Sequence, residues 1–291
     1  MKETLLVLFS VLLLVFGGLA MFSGNEDYAA EKLFYQAMQI DRKIAKNPEI
    51  APVRMIVAVE RNLKKIIEEY PHNKMVKPAR MGLVELYLTH QKYVEVIPAL
   101  DEVITQYKDD LFTVSKARFL KGAAYEKQGQ WEKAAREWSV LRGEKYTNTP
   151  WGLQVPFYIG NCYQQKKNYP QAEKAYTEAV VFYRDIESAN KGTPKGYTAA
   201  NLLLLTYMQM ERYEEAGKTA ERIVDTYNNQ LTLFQQLANI DLIFVRILHQ
   251  PDKAIEIYNK IKAKTDEPKL IRSLEQRISE LTAQKWKRPE T

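Results

Sequence analysis

Outside its carboxylates, the 291-residue sequence offers four thiol or imidazole side chains suited to metal ligation: Cys162 and the histidines His72, His90 and His249. A structural metal site needs several such ligands at short spacing, and these histidines are scattered while the cysteine stands alone. A single cysteine also excludes an internal disulfide framework, and Cys162, directly before Tyr163, reads as a packed, inert thiol. The adjacent carboxylates Glu68 and Glu69, Asp109 and Asp110, and Glu214 and Glu215 are the right type for acid–base work. They fall on expected helix ends and turns, where they read as solvated faces, and all three histidines read as surface residues. No phosphate-binding loop, dinucleotide fingerprint, H-E-x-x-H, G-x-S-x-G or C-x-x-C pattern occurs. The sequence is therefore read as non-enzymatic: no catalytic, cofactor-binding or metal-ligating residue, no cofactor, and no small-molecule ligand.

Charge points to no nucleic acid either. The formal net charge is +6, from 42 Lys and Arg against 36 Asp and Glu, but the basic residues are interspersed with acidic ones. One compact cluster, Lys285, Trp286, Lys287 and Arg288, ends the chain and reads as a solvated tail or a membrane-surface contact. A hydrophobic share of 46% excludes intrinsic disorder, while 12 Gly, 12 Pro and 18 Tyr suggest a helical protein in which tyrosine recurs.

Residues 5–22, LLVLFSVLLLVFGGLAMF, carry no charge. As a helix of 1.5 Å rise per residue they would extend about 27 Å, within the range of a membrane-spanning segment. Two readings stand. Residues 1–24 are a signal-anchor whose residues 5–22 stay in the membrane, or a cleaved signal peptide, with residues 5–16 as apolar core and Gly17, Gly18 and Ala20 at the processing site. Lys2 before the segment and Glu26 and Asp27 after it place the remainder outside the cytoplasm in both.

The dominant signal downstream is a rhythm. Tyr87, Tyr125, Tyr163 and Tyr207, with Val245 in fifth place, are separated by 38, 38, 44 and 38 residues. Six residues after each stands Tyr93, Trp131, Tyr169, Tyr213 or Pro251; nine after, Val96, Ala134, Ala172, Ala216 or Ala254. Further columns hold Leu100, Trp138, Tyr176, Ala220 and Tyr258, then Val103, Leu141, Ala179, Ile223 and Ile261. Helical hairpins explain the pattern: a first helix ending at the tyrosine, a short polar turn, and a second helix with a small side chain where the two cross. Val59, Leu63, Ile66 and Tyr70 repeat the second-helix columns earlier, with a first helix over 28–45 and a connecting loop over 46–52. Pro98 and Pro156 fall inside expected helices, where each costs about 3 kcal/mol or forces a kink. The longer 44-residue step puts a projecting loop near 188–196, rich in Gly and Pro.

These columns resemble the tetratricopeptide repeat, most closely in Gly122 to Tyr125 with Trp131, Ala134 and Trp138, and in Gly160 to Tyr163 with Tyr169, Ala172, Tyr176 and Ala179. The step exceeds that family's repeat of about 34 residues, suggesting longer helices. The resemblance implies an all-α, right-handed superhelical solenoid of helix-turn-helix repeats over 25–291, with about six hairpins and a polar-backed capping helix near 268–285. It also implies a groove lined by first helices. Carried over, the groove residues are Phe119, Glu126 and Lys127; Phe157, Asn161, Gln164 and Gln165; Asn201, Leu205, Met208 and Gln209; and Asn239 and Arg246. Such a wall suits a protein or peptide partner, since amides both donate to and accept from an extended backbone. The plainer alternative is hydrated surface.

The resulting expectation is a scaffold or adaptor, anchored in the bacterial inner membrane with a periplasmic domain or free in the periplasm, acting in envelope assembly or secretion. The alternatives are an enzyme or regulatory subunit of cell-wall turnover, and a peripheral membrane-binding protein.

Overall fold

The computed structural model describes residues 26–47, 50–227 and 229–285. The expected membrane segment at 5–22 and the residues 286–288 of the basic cluster lie outside them. Among the described residues thirteen α-helices follow one another: α1 (Glu26–Lys46), α2 (Val53–Glu69), α3 (Val76–Thr89), α4 (Tyr93–Gln106), α5 (Leu111–Lys127), α6 (Trp131–Val140), α7 (Pro150–Gln165), α8 (Tyr169–Ala189), α9 (Pro194–Gln209), α10 (Tyr213–Thr226), α11 (Gln230–Ile240), α12 (Pro251–Lys262) and α13 (Pro268–Lys285). A π-helical segment, Asp241–Ile247, continues α11. Among the described residues there is no strand, and no helix is long and apolar enough to cross a membrane. The chain divides into two compact units, Met1–Gly129 and Gln130–Thr291. In the first, α1 to α5 pack each on the next; in the second, α6 to α10 do the same and the array continues through α11, its π segment, α12 and α13.

The turns share one device. Gln91, Lys167, Glu211 and His249 have φ of 54°, 60°, 57° and 54°, and Gly129 has 69°. Each lies four residues after its column position, Tyr87, Tyr163, Tyr207, Val245 and Tyr125 respectively, so the turn of each of these five hairpins contains one left-handed residue. That conformation lets the next N–H reach back over the helix end: Lys92 donates to the Tyr87 carbonyl at 2.8 Å, and Asn168 to Tyr163 and Arg212 to Tyr207 at 2.9 Å each. Gly129 alone announces this position in the sequence. The fifth turn differs by one residue, since Gln250 donates to the Phe244 carbonyl. The π-helix there holds an extra residue, so Phe244, not Val245, fills the fifth place of the column; Phe244 is buried and Val245 only partly so.

The second-helix columns are buried in every repeat, from Val96, Ala134, Ala172, Ala216 and Ala254 through Val103, Leu141, Ala179, Ile223 and Ile261. The column that opens the second helix is not: Tyr169 is 63% exposed, because it sits in the first turn, beyond the crossing. His90 also departs from the surface reading. It caps α3, half-buried, with its Nε2 lacking a partner among the described residues.

The loop expected near 188–196 shrinks to four residues. The additional residues lengthen α8, which runs 21 residues where α10 runs 14. Thr193, Pro194 and Gly196 are a helix start: the Thr193 hydroxyl accepts from the Gly196 N–H at 3.2 Å, and Pro194 occupies the first turn. Thr149, Pro150 and Gly152 build the same start for α7. A Cβ on either glycine would lie 2.1 Å from a backbone oxygen, of Asn190 or of Tyr146, so no larger residue fits. Pro98 lies inside α4, which continues through it; the carbonyl deprived of a donor belongs to Val94, an exposed residue.

In the first unit, Glu60 of α2 ties its helix to the α3–α4 turn, accepting from the Tyr87 hydroxyl and from Lys92 Nζ, both at 3.0 Å, with Lys64 at 2.8 Å. Burial opposes its charge, but these donors prevail and hold the Glu60 carboxyl down to about 2. A depressed carboxylate contributes stability above its unfolded pKa that is lost as pH falls through its folded pKa. Urea titrations at a series of pH values are therefore expected to show stability falling between about pH 5 and pH 2, with Glu60→Gln less stable at neutral pH and flatter across that window. In the turns, a left-handed non-glycine residue costs about 1–2 kcal/mol, partly offset by the greater unfolded-state entropy of glycine. Lys167→Gly and Glu211→Gly are each expected to raise stability by about 0.5–1 kcal/mol in the same titrations, and a loss would contradict the turn geometry.

Candidate partner-binding face

The candidate amides of the second unit, Asn161, Gln164, Gln165, Asn201, Gln209 and Asn239, lie on α7, α9 and α11, the first helices of successive hairpins. Helix α7 contains Pro156, which removes one backbone donor from its interior. The Tyr183 hydroxyl of α8 enters there: it accepts from the Phe157 N–H at 3.1 Å and donates to the Gln154 carbonyl at 3.2 Å. Tyr183 is fully buried, and burial pushes its phenol well above the ordinary range, so it serves as a neutral donor and acceptor. A side chain inserted at a proline is a recognised cause of local helix opening. This contact fixes how α7 presents its outer residues.

One turn further, the Tyr176 hydroxyl lies 2.6 Å from both Asn161 Oδ1 and Gln164 Oε1. A single phenolic proton satisfies one of them, so the other amide must present its NH2 to the phenol oxygen. The Tyr176 ring lies against Gly160, where a Cβ would come within 2.3 Å of it. Phe157 stands beside the same ring at 6.4 Å and beside Tyr158 at 5.8 Å. Asn161, Gln164 and Phe157 are thus tied into their own hairpin, while Gln165 is exposed.

Between α9 and α11 the amides join across hairpins. Gln236, 1% exposed, donates to Asn201 Oδ1 at 3.0 Å and accepts from Asn239 Nδ2 at 3.2 Å. Asn201 donates in turn to the Tyr197 carbonyl at 2.9 Å, and the Tyr197 hydroxyl donates to Gln235 at 2.6 Å. Asn201 and Asn239 are therefore brought together by a residue absent from the sequence-based set. Its signal was present: Gln236 interrupts the otherwise apolar stripe Leu233, Ile240 and Ile243. Beside this network Leu205 and Leu242 are exposed, Met208 is half-buried against the core, and Gln209 is exposed.

Arg246 is exposed on the π segment, with its Nε 3.2 Å from Asp241. Asp241 also accepts from Arg277 Nε at 2.7 Å, which pins α13 to the π segment. The adjoining Tyr258 phenol is pushed up to about 12, by burial first and then by Asp241. Phe119, Glu126 and Lys127 lie on α5 in the first unit; Phe119 and Glu126 are half-buried, burial raises the Glu126 carboxyl, and Lys127 is exposed. At the turn end of the second unit, an open cleft of about 410 Å³ is bounded by Gln164, Tyr169, Tyr176, Gln209 and Arg212. Among the described residues no group of three or more His, Cys, Asp or Glu has the geometry of a metal site.

Chemically, the face can donate and accept neutral hydrogen bonds and offer apolar contact, with cations at Arg246 and Arg212. Its shape depends on how the Tyr183 hydroxyl holds α7 beside Pro156. Tyr183→Phe strands the Phe157 N–H and Gln154 carbonyl and is expected to cost about 1–3 kcal/mol in urea unfolding. Pro156→Ala restores the missing donor, so the double variant is expected to lose less than the sum of the two single changes. Strict additivity would show that the hydroxyl and the proline act independently.

No family model matches the chain, and no curated protein does. Among solved structures, a tetratricopeptide repeat protein from Parabacteroides merdae is similar at 14% identity, over 87% of this chain and 99% of its own, with a TM-score of 0.38. BtubC (BKLC) from P. vanneervenii is similar at 12% identity, over 92% and 94%, with a TM-score of 0.40. Among the described residues, the repeated, packed helix pairs rest on this chain's own columns and turns.

Proposed function

We propose that this protein is a non-enzymatic scaffold or adaptor that receives an extended segment of a protein partner along α7, α9 and α11. The observation that carries this reading is the Gln236 bridge. It holds Asn201 and Asn239 in place while Asn201 Nδ2 keeps a second proton and Asn239 Oδ1 stays available. Amides already oriented lose little entropy when they bond a peptide backbone, and Leu205 and Leu242 add apolar contact beside them. The reading extends to location: residues 5–22 hold the chain in the bacterial inner membrane, or direct it to the periplasm, and the helical array works outside the cytoplasm in envelope assembly or secretion. The uncharged run and the flanking charges support that placement.

Photo-crosslinking in cells tests the surface. A crosslinker at Leu205 or Gln209 is expected to capture one common partner, while one at Val181, exposed on the second helix α8, captures none. Leu205→Glu combined with Gln209→Ala is expected to weaken that capture at least ~10-fold, about 1.4 kcal/mol. Capture from Val181 alone would move the binding surface off the first helices. A reporter active only in the periplasm, fused after Thr291, is expected to be active; inactivity would overturn the location.

A further inference from the structure

The first hairpin carries a surface that the partner face does not explain. Ile50, at the end of the α1–α2 connection, is 78% exposed; Val53, in the first turn of α2, is 73% exposed, and Val57 one turn on is also exposed. On α1, Tyr28, Lys32, Tyr35, Gln39, Arg42 and Lys46 follow at steps of four and three and form one stripe, opposite the buried Ala30, Ala37 and Ile44. The helix is about 31 Å long at 1.5 Å per residue, so the stripe is long and straight.

The cations near the end of this hairpin cluster without carboxylate partners. Lys32, Arg42, Lys43, Lys46, Arg54 and Arg61 are all exposed, and none has a carboxylate partner among the described residues. Toward the end of α2 and beyond it the cations are paired, Lys64 with Glu60, Lys65 with Glu69 and Lys74 with Glu31. The carboxylate in the middle of this positive region, Asp41, is half-buried, with Glu85 and His90 as its electrostatic neighbours. Glu49, in the connection itself, lies outside the described residues.

We infer that this end of the first hairpin docks on an anionic lipid surface. Exposed aliphatic side chains at a helix connection, with Lys and Arg lacking carboxylate partners around them, match the acyl boundary and the phosphate layer of a bilayer face. Ile50 and Val53 enter the acyl boundary, and Arg42, Lys43, Lys46 and Arg54 around them meet lipid phosphates. The charge is complementary to anionic headgroups and not to zwitterionic ones. In sequence, the uncharged run 5–22 ends three residues before α1 begins at Glu26. The choice of lipid over an acidic protein therefore rests in part on the membrane placement proposed above.

The full chain, carrying Cys162→Ala and Ile50→Cys labelled with an environment-sensitive fluorophore, tests this in nanodiscs. Discs of phosphatidylcholine alone are compared with discs that also contain phosphatidylglycerol. The expected result is a blue shift, and quenching by nitroxide-bearing lipid, in the anionic discs only. A label at Val94, equally exposed but far from the cations in sequence, is expected to report water in both. The triple reversal Arg42→Glu, Lys46→Glu and Arg54→Glu is expected to abolish the shift, weakening association with the anionic surface by at least ~100-fold; helicity by circular dichroism verifies the fold of each variant. A label at 50 that reports water in anionic discs, or that shifts equally in neutral discs and ignores the reversal, would overturn the inference. If the chain is not retained in discs, the anchor reading fails separately. The same label is then read with added phosphatidylglycerol vesicles, where a shift supports docking and its absence overturns it. Binding of an acidic protein without any lipid response would likewise overturn it.

Discussion

In the hairpin turns the chain reverses from a first helix to its second through one left-handed residue, and the carbonyls left at the helix end must find donors. The left-handed residues are Gln91, Gly129, Lys167, Glu211 and His249, and after Gln91, Lys167 and Glu211 the next N–H closes the turn on the carbonyl of the column tyrosine. Closing the turn on the carbonyl of the preceding tyrosine fixes where the second helix starts. The start in turn fixes which residue meets the crossing point, and there the chain places Val96, Ala134, Ala172, Ala216 or Ala254. Only a small or branched side chain permits that approach, so turn and crossing act as one device. Once each hairpin is closed, its remaining apolar face must be covered, and the neighbouring hairpin covers it.

The partner face follows from the same geometry. First helices of neighbouring hairpins come close enough for one buried glutamine to bridge Asn201 and Asn239. A buried amide is costly unless satisfied, and Gln236 is satisfied on both its oxygen and its nitrogen. Helix α7 reaches its position by a different route, with a tyrosine hydroxyl filling the gap that Pro156 opens. Polar groups thus determine the orientation of this face, while the alanine and aromatic columns supply its stability.

The helical class, the pairing of helices and the second-helix core were legible because three columns recur through five repeats, and hydrophobic periodicity reports burial directly. Three kinds of feature were less so. Left-handed turns at Gln91, Lys167, Glu211 and His249 carry no residue preference visible in one sequence, since only Gly129 advertises the conformation. Thr193, Pro194 and Gly196 are read as a loop by composition, yet the same residues cap a helix; the repeat of Thr, Pro and Gly at 149, 150 and 152 was the available clue. The π-helix shifts the fifth repeat by one residue, which spacing alone assigns to Val245. At the candidate face, residue types pointed to amides, but which amides are tied inward, as Asn161 is by Tyr176, depends on partners from another helix.

Backbone hydrogen exchange tests the shared turn most directly, read at the amides of Lys92, Asn168 and Arg212. Each follows a left-handed residue and donates to a tyrosine carbonyl across the helix end. Slow exchange at all three, comparable to the helices on either side, is the predicted result. Rapid exchange there, with the flanking helices protected, would mean that the turns are open and that the hairpins are not closed by this device.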